Sequence, residues 1–294
     1  MTNLPRPRWK TGRKPDIFKT IVNGEIAQRV ALVCHGNAFF RGNTIPDFFP
    51  SNSTCQFCDG ITFVEFKKVF YVDVREQEIA SNPNRWFAVL RERDVYGLRL
   101  SQTPRNDPKF SDRMSAGFVG GGGVWTIEAI KRNGSSEFWH SRWEVWDQKA
   151  PDRRIWRVAY GQVAEAKTSN PNTKPLSELK VNLQKALQEI HNFSQKQNCD
   201  GFTKCFANAL GSLMASKPLH GYHKDFSPDG ILSPDAIALL DSCQTAWVFG
   251  GMGSWNDMGF EREVGREYDR VSENLFSLLT QVIPAAANDS FRPV

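Results

Sequence analysis

The sequence predicts an α+β protein, with an antiparallel, β-rich part (a meander or curled sheet) over residues 20–167 and a packed helical part over 176–294. Three observations carry this. Segments before residue 167 are rich in β-branched and aromatic residues, partly alternate, and are separated by turn signals. Segments after 176 place apolar residues at helical spacing. Composition also changes near residue 170. Residues 1–170 hold 26 Lys or Arg against 18 Asp or Glu, a net of +8, with seven of the nine Trp, whereas 171–294 hold 11 against 14, a net of −3. At 294 residues, 40% hydrophobic and 23% charged, the chain can bury a sizeable core without staples.

Taken in order, residues 1–19 form a basic arm carrying Arg6, Arg8, Lys10, Arg13 and Lys14, kept extended by Pro5 and Pro7. Residues 61–74 (ITFVEFKKVFYVDV) read as a strand. Residues 85–91 and 95–100 read as two more, paired by a turn at Arg91-Glu92-Arg93-Asp94. The strand at 124–130 follows four glycines, and Asn133-Gly134 turns it into 137–146. Pro151-Asp152 then turns into 154–163. Alternation puts Trp139, Trp143 and Val145 on one face, with His140, Arg142 and Glu144 opposite; Trp156, Val158 and Tyr160 likewise oppose Arg157. The Trp side is expected in the core.

A polar, Pro-bearing linker spans 168–175. Leu176, Leu179, Leu183, Leu187 and Ile190 then mark one helix, and Phe202, Phe206, Leu210 and Leu213 a second. Ser233 caps a short third helix with Pro234 at its first position. Val264, Tyr268, Val271, Leu275, Leu278 and Val282 stripe the last, which Pro284 interrupts or ends.

Four constellations could carry chemistry. Cys55-x-x-Cys58 sets two thiolates on one knuckle, and Cys34 with His35 would complete four ligands for a structural zinc. His220 and His223, with Asp225 nearby, offer imidazoles and a carboxylate in one loop, suited to acid–base work. Residues 249–257 (FGGMGSWND) combine three glycines with Ser254, Trp255, Asn256 and Asp257. They could frame a small polar ligand, with Asp257 and Glu261 as base or metal ligand, or else form a packed inter-helix loop. Arg91, Arg142, Arg154 and Arg157 supply a candidate binding patch for an anionic partner. The glycines at 120–123 are not a phosphate loop, because no Gly-Lys-Ser/Thr follows and a strand comes next.

No run approaches 18 apolar residues and the start lacks an apolar signal core, so the expectation is a cytoplasmic protein that does not span a membrane. In that setting the six Cys serve as thiols or metal ligands rather than a disulfide frame. With no complete catalytic motif, the leading expectation is a non-enzymatic interaction protein, a regulator or inhibitor that captures a protein partner. Two alternatives stand beside it: a nucleic-acid-binding protein using the basic half, and a hydrolase-like enzyme centred on 249–261.

Overall fold

The computed structural model describes residues 24–69, 73–105, 107, 109–168, 174–215 and 222–293. The basic arm at 1–19, His220 and most of the linker at 168–175 lie outside them. Six strands form one sheet: β1 (Cys58–Val69), β2 (Asp73–Ala80), β3 (Val95–Thr103), β4 (Val124–Lys131), β5 (Ser135–Val145) and β6 (Trp156–Lys167). Their order is β2-β1-β6-β5-β4-β3. The expected antiparallel pairing holds at every seam but one, for β1 and β6 run parallel, so the sheet is mixed. The cause lies in the connections. The β1–β2 hairpin and the β3–β6 meander are separate units, and the hairpin docks its first strand beside the meander's last.

The unit that joins them is a helix, α2 (Pro83–Glu92), where a strand was expected over 85–91. Asn82 accepts from Arg85 N at 2.9 Å, Pro83 opens the first turn, and Trp86, Phe87 and Leu90 fall on one buried face. Trp86 stacks on Phe63 with 4.3 Å between centroids, and Phe63 in turn stacks on Tyr160, which places α2 against the sheet's inner face.

A second helix, α1 (Gly24–Phe40), was not foreseen at all. It is buried from Glu25 to Ala38 and lies across the inner face of the sheet. A helix buried on every side, with polar residues scattered among its apolar ones, has no amphipathic stripe to betray it. Beyond a four-residue turn, α3 (Asp112–Ser115), the helices α4 (Leu176–Lys196), α5 (Asp200–Met214), α6 (Pro234–Ala246) and α7 (Arg262–Asn288) follow as their spacing predicts. Ser233 caps α6 by accepting from Ala236 N at 3.3 Å. Helix α7 does not stop at Pro284. That proline lies near the helix end, and burial of Ile283, Ala286 and Ala287 holds the final turn.

One continuous buried cluster runs from the sheet's inner face through α1 into α4–α7. At the sheet edge, two asparagines take the place of a neighbouring strand. Asn37 of α1 accepts from Leu98 N at 2.7 Å and donates to Leu98 O at 2.9 Å. Asn288 of α7 accepts from Leu100 N at 2.6 Å and donates to Leu100 O at 2.8 Å. Both amides therefore cover β3, an edge that would otherwise template pairing with another chain. Among the described residues, no helix is long and apolar enough to cross a membrane.

Candidate functional site

The most concentrated polar chemistry lies where the segment at 222–226 crosses the 3-10 turn Ser53–Cys55, beside the N-terminus of α1. Asn52 caps that turn by accepting from Thr54 N at 3.0 Å, which leaves the Ser53 hydroxyl free to face the segment. His223 Nδ1 stands 2.8 Å from Ser53 Oγ. Asp225 accepts from the Ser53 hydroxyl through Oδ1 and from Ser53 N, at 2.7 Å, through Oδ2. The Asp225 carbonyl also takes hydrogen bonds from Asn52 Nδ2 at 2.9 Å and from His35 Nε2 at 3.1 Å.

These contacts decide the tautomer of His223. Once the Ser53 hydroxyl proton is committed to the Asp225 carboxylate, Oγ can meet Nδ1 only by accepting from it. Nδ1 then carries the ring proton and Nε2 presents a lone pair. His223 is 3% exposed, and its Nε2 has no hydrogen-bond partner among the described residues. Burial pulls its pKa down to about 4 against the opposing pull of Asp225, so the ring is neutral near pH 7. In a nucleophile triad the imidazole bridges serine and carboxylate. Here the serine is the bridge, so its hydroxyl is held rather than activated.

His223 borders a cavity of about 220 Å³ whose wall also includes Glu25, Gln56, Phe57, Cys58, Val119, Trp143 and Trp156. Trp143 and Trp156 meet edge to face, 6.1 Å apart. Glu25 accepts from Gly120 N at 3.0 Å and lies 3.6 Å from Arg29 Nη1, while Arg29 Nη2 donates to Ser141 Oγ at 2.7 Å. A larger cavity, about 530 Å³, separates β3 and β4 from α7. Its charged wall is already self-satisfied, with Arg99 Nε and Nη2 each 3.1 Å from the Glu128 carboxylate. The smaller cavity is the one that His223 and Ser53 line.

The zinc set of Cys34, His35, Cys55 and Cys58 is not assembled. Neighbours on a helix point about 100° apart. Accordingly Cys34 turns toward Ala287 O at 4.0 Å, while His35 turns to Asp225. Cys55 faces Phe48 O at 3.9 Å, and Cys58 receives Gln28 Nε2 at 3.6 Å. Among the described residues, no group of three or more His, Cys, Asp or Glu is placed to share a metal ion. Burial pushes the Cys34 thiol up to about 12 and Cys58 up to about 11; Cys55 is raised by burial and by Cys58. Such thiols stay protonated and unreactive at neutral pH.

The turn at 249–257 is a packed inter-helix loop. Trp255 is fully buried, donates to Ser272 Oγ at 2.7 Å, and meets Phe202 and Phe206 edge to face. Ser254 accepts from Asn256 N at 3.2 Å, and Asn256 is tied in both directions to Arg113. Asp257 is exposed and accepts from Gly253 N, and Glu261, also exposed, precedes α7 without a side-chain cap bond. Neither Asp257 nor Glu261 bonds to His223 among the described residues, and His220 lies outside them.

Arg142 and Arg157 share a shallow groove on the outer sheet face, each with its charge already met. Arg142 pairs with Glu76 at 2.5 Å and Glu144 at 2.8 Å; Arg157 pairs with Asp59 at 2.8 Å and covers the Trp146 ring. Arg154 sits 3.8 Å from Asp152, and Arg91 lies on α2 over Phe39. The four do not form one patch. Ser53, Asn52 and Glu25 carried no motif to mark them, and only the His223/Asp225 pair pointed to this site.

Comparison with protein-family models, with curated proteins and with solved structures finds no significant match.

Proposed function

We propose that this protein binds a small molecule in the cavity between α1, the strand ends of β5 and β6, and the segment at 222–226. The single observation behind this reading is a cavity of about 220 Å³ whose wall combines Phe57, Trp143 and Trp156 with the hydrogen-bonded pair Ser53 and His223. Small molecules bind in concave, mostly apolar and aromatic cavities that carry a few convergent polar groups. The test is ligand-observed NMR with a library of small molecules, comparing the wild type with Val119→Trp. Val119 is exposed at the cavity mouth, so a bulky residue there closes the entrance without disturbing the core. Binders lost in that variant support the reading; a library whose binders are all indifferent to it rejects the reading.

A protein partner is the second reading, and a separate observation favours it. Gly117 abuts the backbone of Gly250 and Gly251 so closely that a Cβ at 117 would lie 2.4 Å from Gly250 O. The two glycine-rich loops thus pack together and hold Phe118, Val119 and the wholly exposed Met252 outward. Such a ridge suits capture of a partner by a regulator or inhibitor. A photo-crosslinking residue at position 252 should trap a partner in cells, and one at outer-face position 163 should not. Equal trapping at both positions rejects this reading. The nucleic-acid alternative keeps the chain's overall charge in its support, but Arg142, Arg154 and Arg157 are each paired with carboxylates and Arg91 lies on α2 over Phe39.

A further inference from the structure

We infer that the cavity of about 530 Å³ between β3 and α7 binds a neutral primary carboxamide, which pairs with the backbone N–H and C=O of Gln102. This site is separate from the smaller cavity and does not rest on the reading above. The inference starts from the strand edge. In an antiparallel strand the N–H and C=O of one residue point to the same side, and successive residues alternate. Pairing of β3 with β4 runs without a break from Gly97 to Thr103. Leu98 and Leu100 turn both groups outward, where the carboxamides of Asn37 and Asn288 meet them. Gln102 is the next residue of that parity, so its N–H and C=O face outward too. It is half-buried and lines the cavity together with Asn288. Its own side chain turns away to Gly122 O at 3.4 Å, and among the described residues no other side chain or loop meets its backbone groups.

Three features name the ligand. The first is that a single place is open on the edge. Asn288 fills the one before it, and Pro104, the next residue of the same parity, has no N–H. An added peptide strand draws on several such places, whereas one carboxamide fills one, as Asn37 and Asn288 each do. The second is the order of donor and acceptor. A carboxylate, ester or ketone can accept from Gln102 N–H but brings no donor to the C=O beside it. The third is the wall. Leu100, Phe138, Leu179 and Pro284 supply apolar surface. Arg99 is neutralised by Glu128 at 3.0 Å and Lys174 by Glu178 at 2.7 Å, so the wall does not call for an ion. A cavity of roughly 150 Å³ accepts a benzene ring, and 530 Å³ leaves room for a carboxamide carried on one ring or two.

The experiment uses the full chain, labelled with ¹⁵N, and two probes of nearly equal shape: benzamide, and acetophenone, which carries a methyl group in place of the amide nitrogen. Without a probe, the Gln102 amide should exchange with solvent faster than those of Leu98 and Leu100. Benzamide should shift the Gln102 amide resonance and slow its exchange. Acetophenone should bind about tenfold more weakly, because it leaves the Gln102 C=O unpaired. Ser277 is exposed on α7 and borders the same cavity, so Ser277→Trp fills the space and should abolish benzamide binding; if that variant is unfolded, the wild-type comparison still decides. Equal affinity of the two probes, or a Gln102 amide that benzamide leaves unmoved, overturns the inference. So does benzamide binding that survives in folded Ser277→Trp. A capped, extended tripeptide that protects Gln102 better than benzamide does would mean that the edge takes an added strand, and also overturns it.

Discussion

Removing the Asn37 amide should cost more than most single changes in this protein, and the structure says how much. Asn37→Ala deletes the bonds to Leu98 N at 2.7 Å, to Leu98 O at 2.9 Å and to Ser290 Oγ at 2.7 Å. Both Asn37 and Leu98 are buried, so water cannot take over the two backbone groups. Each of the two orphaned groups costs about 1–3 kcal/mol, which puts the loss at about 2–6 kcal/mol. Asn37→Asp separates lost hydrogen bonds from a cavity. It keeps the shape but turns the donor facing Leu98 O into an acceptor and buries a charge, so it should destabilise at least as much as alanine. Asn288→Ala should cost less, about 1–2 kcal/mol, because Asn288 is half-buried and borders the 530 Å³ cavity, from which water can enter in place of its amide although Leu100 is itself buried. Urea unfolding followed by tryptophan fluorescence, with hydrogen exchange of the β3 peptide, measures all three. A loss below about 1 kcal/mol for both position-37 variants, with β3 exchange unchanged, would refute the idea that these amides complete the sheet edge.

Ser272→Ala leaves the buried Trp255 N–H without its 2.7 Å partner and should lower stability by about 1–3 kcal/mol. Asp257→Asn, on the same loop but exposed, should change stability by less than about 1 kcal/mol; a large effect there would mean the loop is not merely packed. Acid should also weaken the fold through His223. Its folded pKa of about 4 lies below the ordinary 6.5, so the neutral ring is what folding favours. This contribution is whole above pH 6.5, falls by about 1.4 kcal/mol per pH unit as pH drops toward 4, and levels off below. His35, also lowered by burial, acts in the same direction. His223→Gln should flatten the pH dependence of the urea midpoint between pH 7 and 5, and a slope identical to the wild type would refute the assignment.

Strands with clear alternation and turns were legible in the sequence, as were helices with a clean stripe. The Asn133-Gly134 hairpin and the α7 stripe appear where periodicity placed them. What failed, failed for physical reasons. Residues 85–91 (RWFAVLR) carry strand-like residues, but Asn82-Pro83 set a helix start, and local capping outweighed propensity. The glycines and Trp255 at 249–257 resembled a ligand turn, yet the same residues let two loops touch and fill a core. The site itself joins Ser53 to His223 across 170 residues, a separation that no local pattern can reveal.

Helix α1 explains both why it was hard to read and why the site sits beside it. It is buried all the way round, with apolar residues on every face, so hydrophobic burial alone would not distinguish one rotation about its axis from another. Polar side chains make that distinction. Gln28 accepts from Tyr160 Oη at 2.9 Å, Arg29 reaches Ser141, His35 reaches the Asp225 carbonyl, and Asn37 reads the edge of β3. Each bond points to a different neighbour, and turning the helix would orphan all four at once, at a cost far above that of any one. The rotation that satisfies them also carries Glu25 to the cavity wall and His35 to the segment that bears His223. The cavity and the packing of α1 are therefore set by the same buried polar residues. Substitutions at Gln28 or Asn37 should consequently disturb the His223 resonance although neither residue lines the cavity.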